Sequence, residues 1–222
     1  MSAVTLSRGE VDTYLGAVDW LRGILARAEV ADSWSGPSAL EHYTVGGLAA
    51  HAVHGVLWLE QLLTDAEPVG LRPVTVPEFY GLNRIEGPEG DDRFAASLRS
   101  AAETFAQTGA VVVTAACTAS RDELVGLLSA APATRAVPVI RVAGGQVPLS
   151  LYLRTRVLEV VVHGDDLVSS VKGLQVADPP SAAVDVSLEV CVELARGRVG
   201  DLAVLRAFTR GERALPDALR VL

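Results

Sequence analysis

Between Arg8 and about Val30 apolar side chains recur at Val11, Leu15, Val18, Leu21, Ile24 and Leu25, with charged residues between them. Spacing of three and four gathers these groups on one face, which predicts an amphipathic helix. The pattern lapses in SWSGPSALEHYTVGG, residues 33–47, where Ser, Gly and Pro predict a loop, and Thr44 is placed to cap a second helix running to about Leu63. Residues 68–88 hold four prolines and three glycines and predict a long irregular connection, of the kind that often lines a site. A third helix is expected from about Asp91 to Val113, its end weakened by the β-branched run Val111–Val113. Ser120 and Glu123 have capping-box spacing, which predicts a short helix opening there and running to about Ala130.

Val137–Val142, followed by Gly144 and Gly145, predicts a small hairpin, and a helix from about Leu149 to Val171 comes next. GLQVADPPSAAVD, residues 173–185, has linker composition. Beyond it the pattern predicts a helix over Ala182–Arg196 and short helical pieces at Asp201–Thr209 and Leu215–Leu222. There is no internal repeat. The layout is mainly all-α: a four-helix bundle over residues 1–176, with a possible small β-hairpin, and a small helical C-terminal extension over 177–222.

Composition supports helices packed closely together, because half of the residues are hydrophobic while only 5% are aromatic, the excess being Ala, Val and Leu. A formal charge of −8 supplies no basic field for a phosphate backbone, so nucleic-acid binding is not expected. The opening MSAVTLSRGEVDTYLG lacks a basic region leading into an apolar stretch. No apolar run approaches the roughly 20 residues that span a bilayer, so a cytoplasmic protein with no membrane partner is expected. Cys117 and Cys191 are too few for a disulfide framework and read as reduced thiols.

The strongest chemical signal is RTRVLEVVVHGDDL, residues 154–167, where Glu159 and His163 stand four apart in an otherwise apolar stretch. On a helix their β-carbons lie roughly 5–6 Å apart, a spacing that one metal ion can bridge. A carboxylate among Leu158, Val160, Val161 and Val162 needs a cation or hydrogen-bond donors to stay ionised. Because E-x-x-x-H is short and common, the competing reading pairs Glu159 with Arg156 or Arg154 and leaves His163 a structural histidine. The second helix supplies a further donor in GGLAAHAVHGVLWLEQLL: His51, with an H-x-x-H pair in which His54, three positions on, also contributes a ligand as the rival arrangement. His42, in the loop, is expected to be exposed. Two imidazoles and one carboxylate suit zinc, with nickel, iron or manganese as alternatives because ligand type alone discriminates poorly, and leave a coordination position open, as catalytic rather than structural metal sites do.

These segments together resemble the mycothiol-dependent maleylpyruvate isomerase family, within the DinB-like superfamily of metal-binding helix bundles. The resemblance covers about residues 8–172 and rests on the Trp34/Pro37/Ser38 loop leading into YTVGGLAAHAVH and on R-x-x-E-x-x-x-H-G-D-D from Arg156 to Asp166. It implies His51, Glu159 and His163 as the metal ligands, preferring His51 to His54. It also implies mycothiol, the low-molecular-weight thiol of actinobacteria, as cosubstrate, with the metal lowering the pKa of the thiol. The implied function is a metal-dependent, mycothiol-linked transferase or isomerase acting on a small electrophilic substrate; the alternatives are a non-catalytic metal-binding module and a metal-dependent hydrolase. After Asp178 the chain has only about 45 residues, helical by pattern, where the isomerase is expected to carry a larger α/β domain. Arg196, Arg198 and Arg206 there read as solvated helix charges, the alternative being an anion-binding role. Asp165 and Asp166 are placed either to orient a ligand imidazole or to cap the helix end.

Overall fold

Helix α1 (Arg8–Leu25) starts where Ser7 and Glu10 form a capping box, each side chain accepting from the other's backbone N–H. The computed structural model describes residues 5–80, 93–140, 142–210, 212 and 219. The predicted first helix is broken: α1 ends at Leu25 and the extended backbone of Arg27 precedes a separate short α2 (Ala28–Asp32), which places Val30 in the core. The side chain of Thr44 caps α3 (Val45–Thr64) as expected, accepting from the Gly47 N–H at 2.8 Å.

Where an irregular connection was expected, strand β1 (Arg72–Pro73) and helix α4 (Val76–Phe79) form, the helix opened by a Thr75/Glu78 capping box. Residues 81–88 of that connection lie outside the described residues. The predicted third helix is two helices, α5 (Arg93–Ala106) and α6 (Ala110–Ala130), separated at Gly109, whose φ of +93° suits a residue without a Cβ. Val111–Val113 therefore opens α6 instead of closing α5. Ser120 is no cap either: it is buried in mid-α6 and its hydroxyl donates to the Val56 carbonyl at 3.4 Å. The Ser-x-x-Glu spacing signals a helix start only where a non-helical segment precedes it, and here ten helical residues run into Ser120 without interruption from Ala110.

Strands β2 (Ala136–Val139) and β3 (Gly145–Pro148) form the expected hairpin, and β1 adds in parallel to β3, giving the order β1-β3-β2. Helices α7 (Leu149–Ser170), α8 (Ser181–Val199) and α9 (Asp201–Thr209) follow. Of the last predicted piece, Leu215–Leu222, only residue 219 is described.

The protein is all-α in class. Four helices make the bundle, with α1 and α3 each packed against both α6 and α7, α5 lying outside α3, and α8 lying along α7 and α1. Their apolar stripes meet in a core that includes Tyr14, Leu21, Ile24, Leu48, Leu59, Leu124, Leu128 and Leu153, each such side chain stabilising the fold by roughly 1.5–3 kcal/mol through burial. A smaller cluster, Val76, Leu158, Val190, Leu194, Ala195 and Val204, joins α4, α7, α8 and α9. Gly164 allows α1 close to α7, because a Cβ there would overlap the Trp20 ring. Among the described residues no helix is long and apolar enough to cross a membrane.

Candidate metal centre

The start of α3 is held firmly, since Thr44 caps it and is itself held by Glu103 of α5, whose carboxylate accepts from the Thr44 N–H at 2.8 Å and from its hydroxyl at 2.9 Å. Gly46 and Gly47 make room for this, as a Cβ on either would run into the Trp34 indole or the Glu103 carboxylate. Two turns on, α3 presents His51 toward α7. The His51 and His163 rings meet edge-on with centroids 4.9 Å apart, and Tyr43 stands 5.4 Å from His51 on another side.

On α7, Nε2 of His163 lies 3.2 Å from Oε2 of Glu159, and Nδ1 lies 3.4 Å from Oδ2 of Asp166. The other oxygen of Glu159, Oε1, lies 3.7 Å from Nη2 of Arg156. These side chains are mostly enclosed, His163 being 13% and Glu159 26% exposed. Burial alone would disfavour the Glu159 carboxylate, but the hydrogen bond from His163 and the charge of Arg156 outweigh it and hold its pKa down at about 2. Burial likewise opposes a charge on His163, yet the hydrogen bonds to Asp166 and Glu159 raise its pKa to about 9. His51 has no such partner, so burial and then the nearby His163 push it down to about 4. At neutral pH Glu159 is ionised, His163 is protonated on both ring nitrogens, and His51 is neutral with a lone pair free.

Around this group lie aromatic residues. The Arg156 guanidinium sits 4.9 Å from the Tyr152 ring centroid and 5.8 Å from that of Phe79. The hydroxyls of Tyr14 and Tyr80 are buried, and among the described residues neither has a hydrogen-bond partner within 3.5 Å; the Tyr80 hydroxyl lies close to the Glu159 carboxylate, and burial, then that charge, push its phenol well above the usual pKa.

His51, Glu159 and His163 are thus brought together. His54 is exposed beside Phe105 of α5, with ring centroids 6.0 Å apart, and His42 is exposed in the loop with φ of +69°. Asp166 meets His163, while Asp165 is exposed. Arg154 pairs with Glu189 and Glu193 and leaves Glu159 to Arg156, so one of the two competing ion pairs does form, though in an enclosed setting. Arg196, Arg198 and Arg206 are exposed, Arg196 gripping Asp201 at 2.8 Å. Sequence reasoning missed Tyr152, Phe79 and Tyr80; Tyr152, one turn before Arg156, was open to the same helical-spacing argument that found His163.

As placed, the candidate ligands form pairs, and among the described residues no three His, Cys, Asp or Glu side chains are gathered as a ready metal shell. Their chemistry fits a divalent ion all the same. With Nδ1–H of His163 donated to Asp166, loss of the second proton leaves the Nε2 lone pair facing Glu159, the arrangement usual for an imidazole ligand oriented by a carboxylate. A bound ion would take the place of that proton.

The fold and this cluster together define an all-α bundle with an imidazole–carboxylate centre between two neighbouring helices. The chain belongs to the family described as the mycothiol maleylpyruvate isomerase N-terminal domain, which it matches over residues 16–168. That span holds His51, Glu159, His163 and Asp166 and ends before α8. No curated protein and no solved structure matches the chain.

Proposed function

We propose that this protein is a metal-dependent, mycothiol-linked transferase or isomerase acting on a small electrophile, with His51, Glu159 and His163 as ligands of one divalent ion, most suitably zinc. The observation that carries this reading is the meeting of His51 with His163 at 4.9 Å, beside Glu159, within the span that matches the family. An ion held by these residues supplies Lewis acidity that lowers the pKa of a coordinated thiol, making the nucleophilic thiolate available near neutral pH.

The chain's own residues prepare for that role. His51 offers a neutral imidazole, Asp166 accepts the Nδ1–H of His163 and so turns Nε2 inward, and Glu159 contributes one negative charge. Two neutral imidazoles and one carboxylate leave a divalent ion with a net charge of about +1, which favours an anionic thiolate over a neutral thiol or water in the fourth position. Water in that position instead would give the hydrolase alternative. One observation favours a non-catalytic module: Asp166, His163, Glu159 and Arg156 already form a charge-balanced chain of contacts.

Calorimetric titration of the zinc-loaded protein with mycothiol separates these readings. Binding with proton release, counted in buffers of different ionisation enthalpy, is expected, together with a melting temperature that rises with thiol concentration. Neither heat nor a melting shift up to millimolar mycothiol would remove the thiol-linked reading.

A further inference from the structure

The two oxygens of Glu159 face different cations. Oε2 meets His163 at 3.2 Å, while Oε1 faces the Arg156 guanidinium at 3.7 Å. Arg156 is itself 16% exposed, and among the described residues its other polar contact is the Thr155 hydroxyl, 3.4 Å from Nε. What fixes it is a corner of two rings, Tyr152 from one turn earlier on α7 and Phe79 from α4, which meet nearly at right angles with centroids 6.0 Å apart. Phe79 is anchored from outside α7 as well as against it. The Thr75/Glu78 capping box opens its helix, Val76 is buried in the smaller apolar cluster, and Pro77 packs so closely on Gly197 of α8 that a Cβ there would clash.

We propose that Arg156, seated in this aromatic corner, is a positioning residue that holds Oε1 of Glu159, so that only Oε2 is offered to the metal ion. The proposal rests on the reading of Glu159 as a ligand. A planar guanidinium keeps its place by stacking and by its fork of donors, which a lysine ammonium cannot reproduce. Without Arg156 the carboxylate is free to turn and to engage an ion through both oxygens.

The test is a titration of the metal-free protein with Co²⁺, following the visible absorption and the affinity in wild type, Arg156→Met, Arg156→Lys and Phe79→Leu, with circular dichroism as the check of folding. The wild type is expected to bind about one Co²⁺ per chain. Arg156→Met is expected to bind it roughly 10–100-fold more weakly, the range found when partners of metal ligands are removed. Its visible bands should also lose intensity, since a carboxylate bound through both oxygens raises the coordination number. Arg156→Lys should fall between, and Phe79→Leu should show a smaller change in the same direction. Wild-type affinity and spectrum in Arg156→Met, or tighter binding from relief of cation repulsion alone, would overturn the proposal, as would a lowered melting temperature with an unchanged Co²⁺ spectrum. Should Arg156→Met fail to fold, unchanged binding in both Arg156→Lys and Phe79→Leu overturns it equally. A wild type that takes up no Co²⁺ overturns the ligand assignment and this inference together, whereas a wild type that binds, with unchanged variants, overturns only the role of Arg156.

Discussion

Asp19 on α1 and Glu159 on α7 are both carboxylates facing arginines across or along the bundle, yet their surroundings differ in kind. Asp19 is gripped by Arg121 through two hydrogen bonds of 2.9 and 2.7 Å and by Arg22 at 2.7 Å, on a side chain that is 41% exposed. Burial works against its charge, but those arginine bonds win and its pKa falls below the ordinary value. Glu159 is more enclosed, and its partners are longer contacts, one of them an imidazole that can give up its proton. Asp19 accepts three hydrogen bonds from two partners that never deprotonate. Glu159 keeps capacity for another cation, in keeping with the ligand role proposed for it.

The largest expected effect follows from that contrast. His163→Ala should lose most of a bound divalent ion, since removing one of three ligands costs a bond and the geometry of the rest, whereas Asp19→Asn should keep it. Elemental analysis of the two variants side by side checks this, and equal metal content in both would erase the distinction.

Next in size is the removal of residues 177–222, proposed as a separable extension. Cutting after Val176 takes away Val190, Leu194, Ala195 and Val204 and uncovers Leu158 and Val76. Each side chain so exposed costs roughly 1.5–3 kcal/mol, so the fragment should melt markedly lower than the full chain while still binding metal. An aggregated fragment without metal would show that α8 completes the core.

A smaller effect concerns pH in the metal-free protein. His163 is raised to about 9, so its contribution to stability is complete below about 6.5, the unfolded value, and is lost as pH rises from there through 9. His51 is lowered to about 4, so folding loses stability as pH falls from about 6.5 toward 4. Melting temperatures should therefore peak near pH 6.5 and fall on both sides, and His163→Ala should flatten the alkaline limb. A curve unchanged by that substitution would contradict the assignment of the raised pKa. Smallest of all, Arg121→Ala should cost about 1 kcal/mol, the upper end for a part-exposed ion pair because its grip on Asp19 is two-pronged while Arg22 still holds that carboxylate, and leave metal content unaltered.

The cluster on α7 was legible because both residues lie on one helix, where spacing translates directly into geometry. His51 was legible as a candidate and not as a choice over His54: three positions apart, both are compatible with one helix, and only the packing of α3 between α5 and α7 leaves His54 exposed beside Phe105. The bundle helices were visible through their apolar stripes, but the break at Gly109 was not, since a single glycine also occurs within helices and its positive φ is decided by the turn it must make. The Arg156 corner was least accessible, because Phe79 reaches it from a proline-rich connection whose path no local periodicity encodes.

The central claim is tested most directly by counting metal in protein purified without chelator, for wild type, His51→Ala and His54→Ala. The account predicts about one divalent ion per chain in wild type and in His54→Ala, and little in His51→Ala. No ion in the wild type, or an ion kept by His51→Ala and lost from His54→Ala, would contradict it.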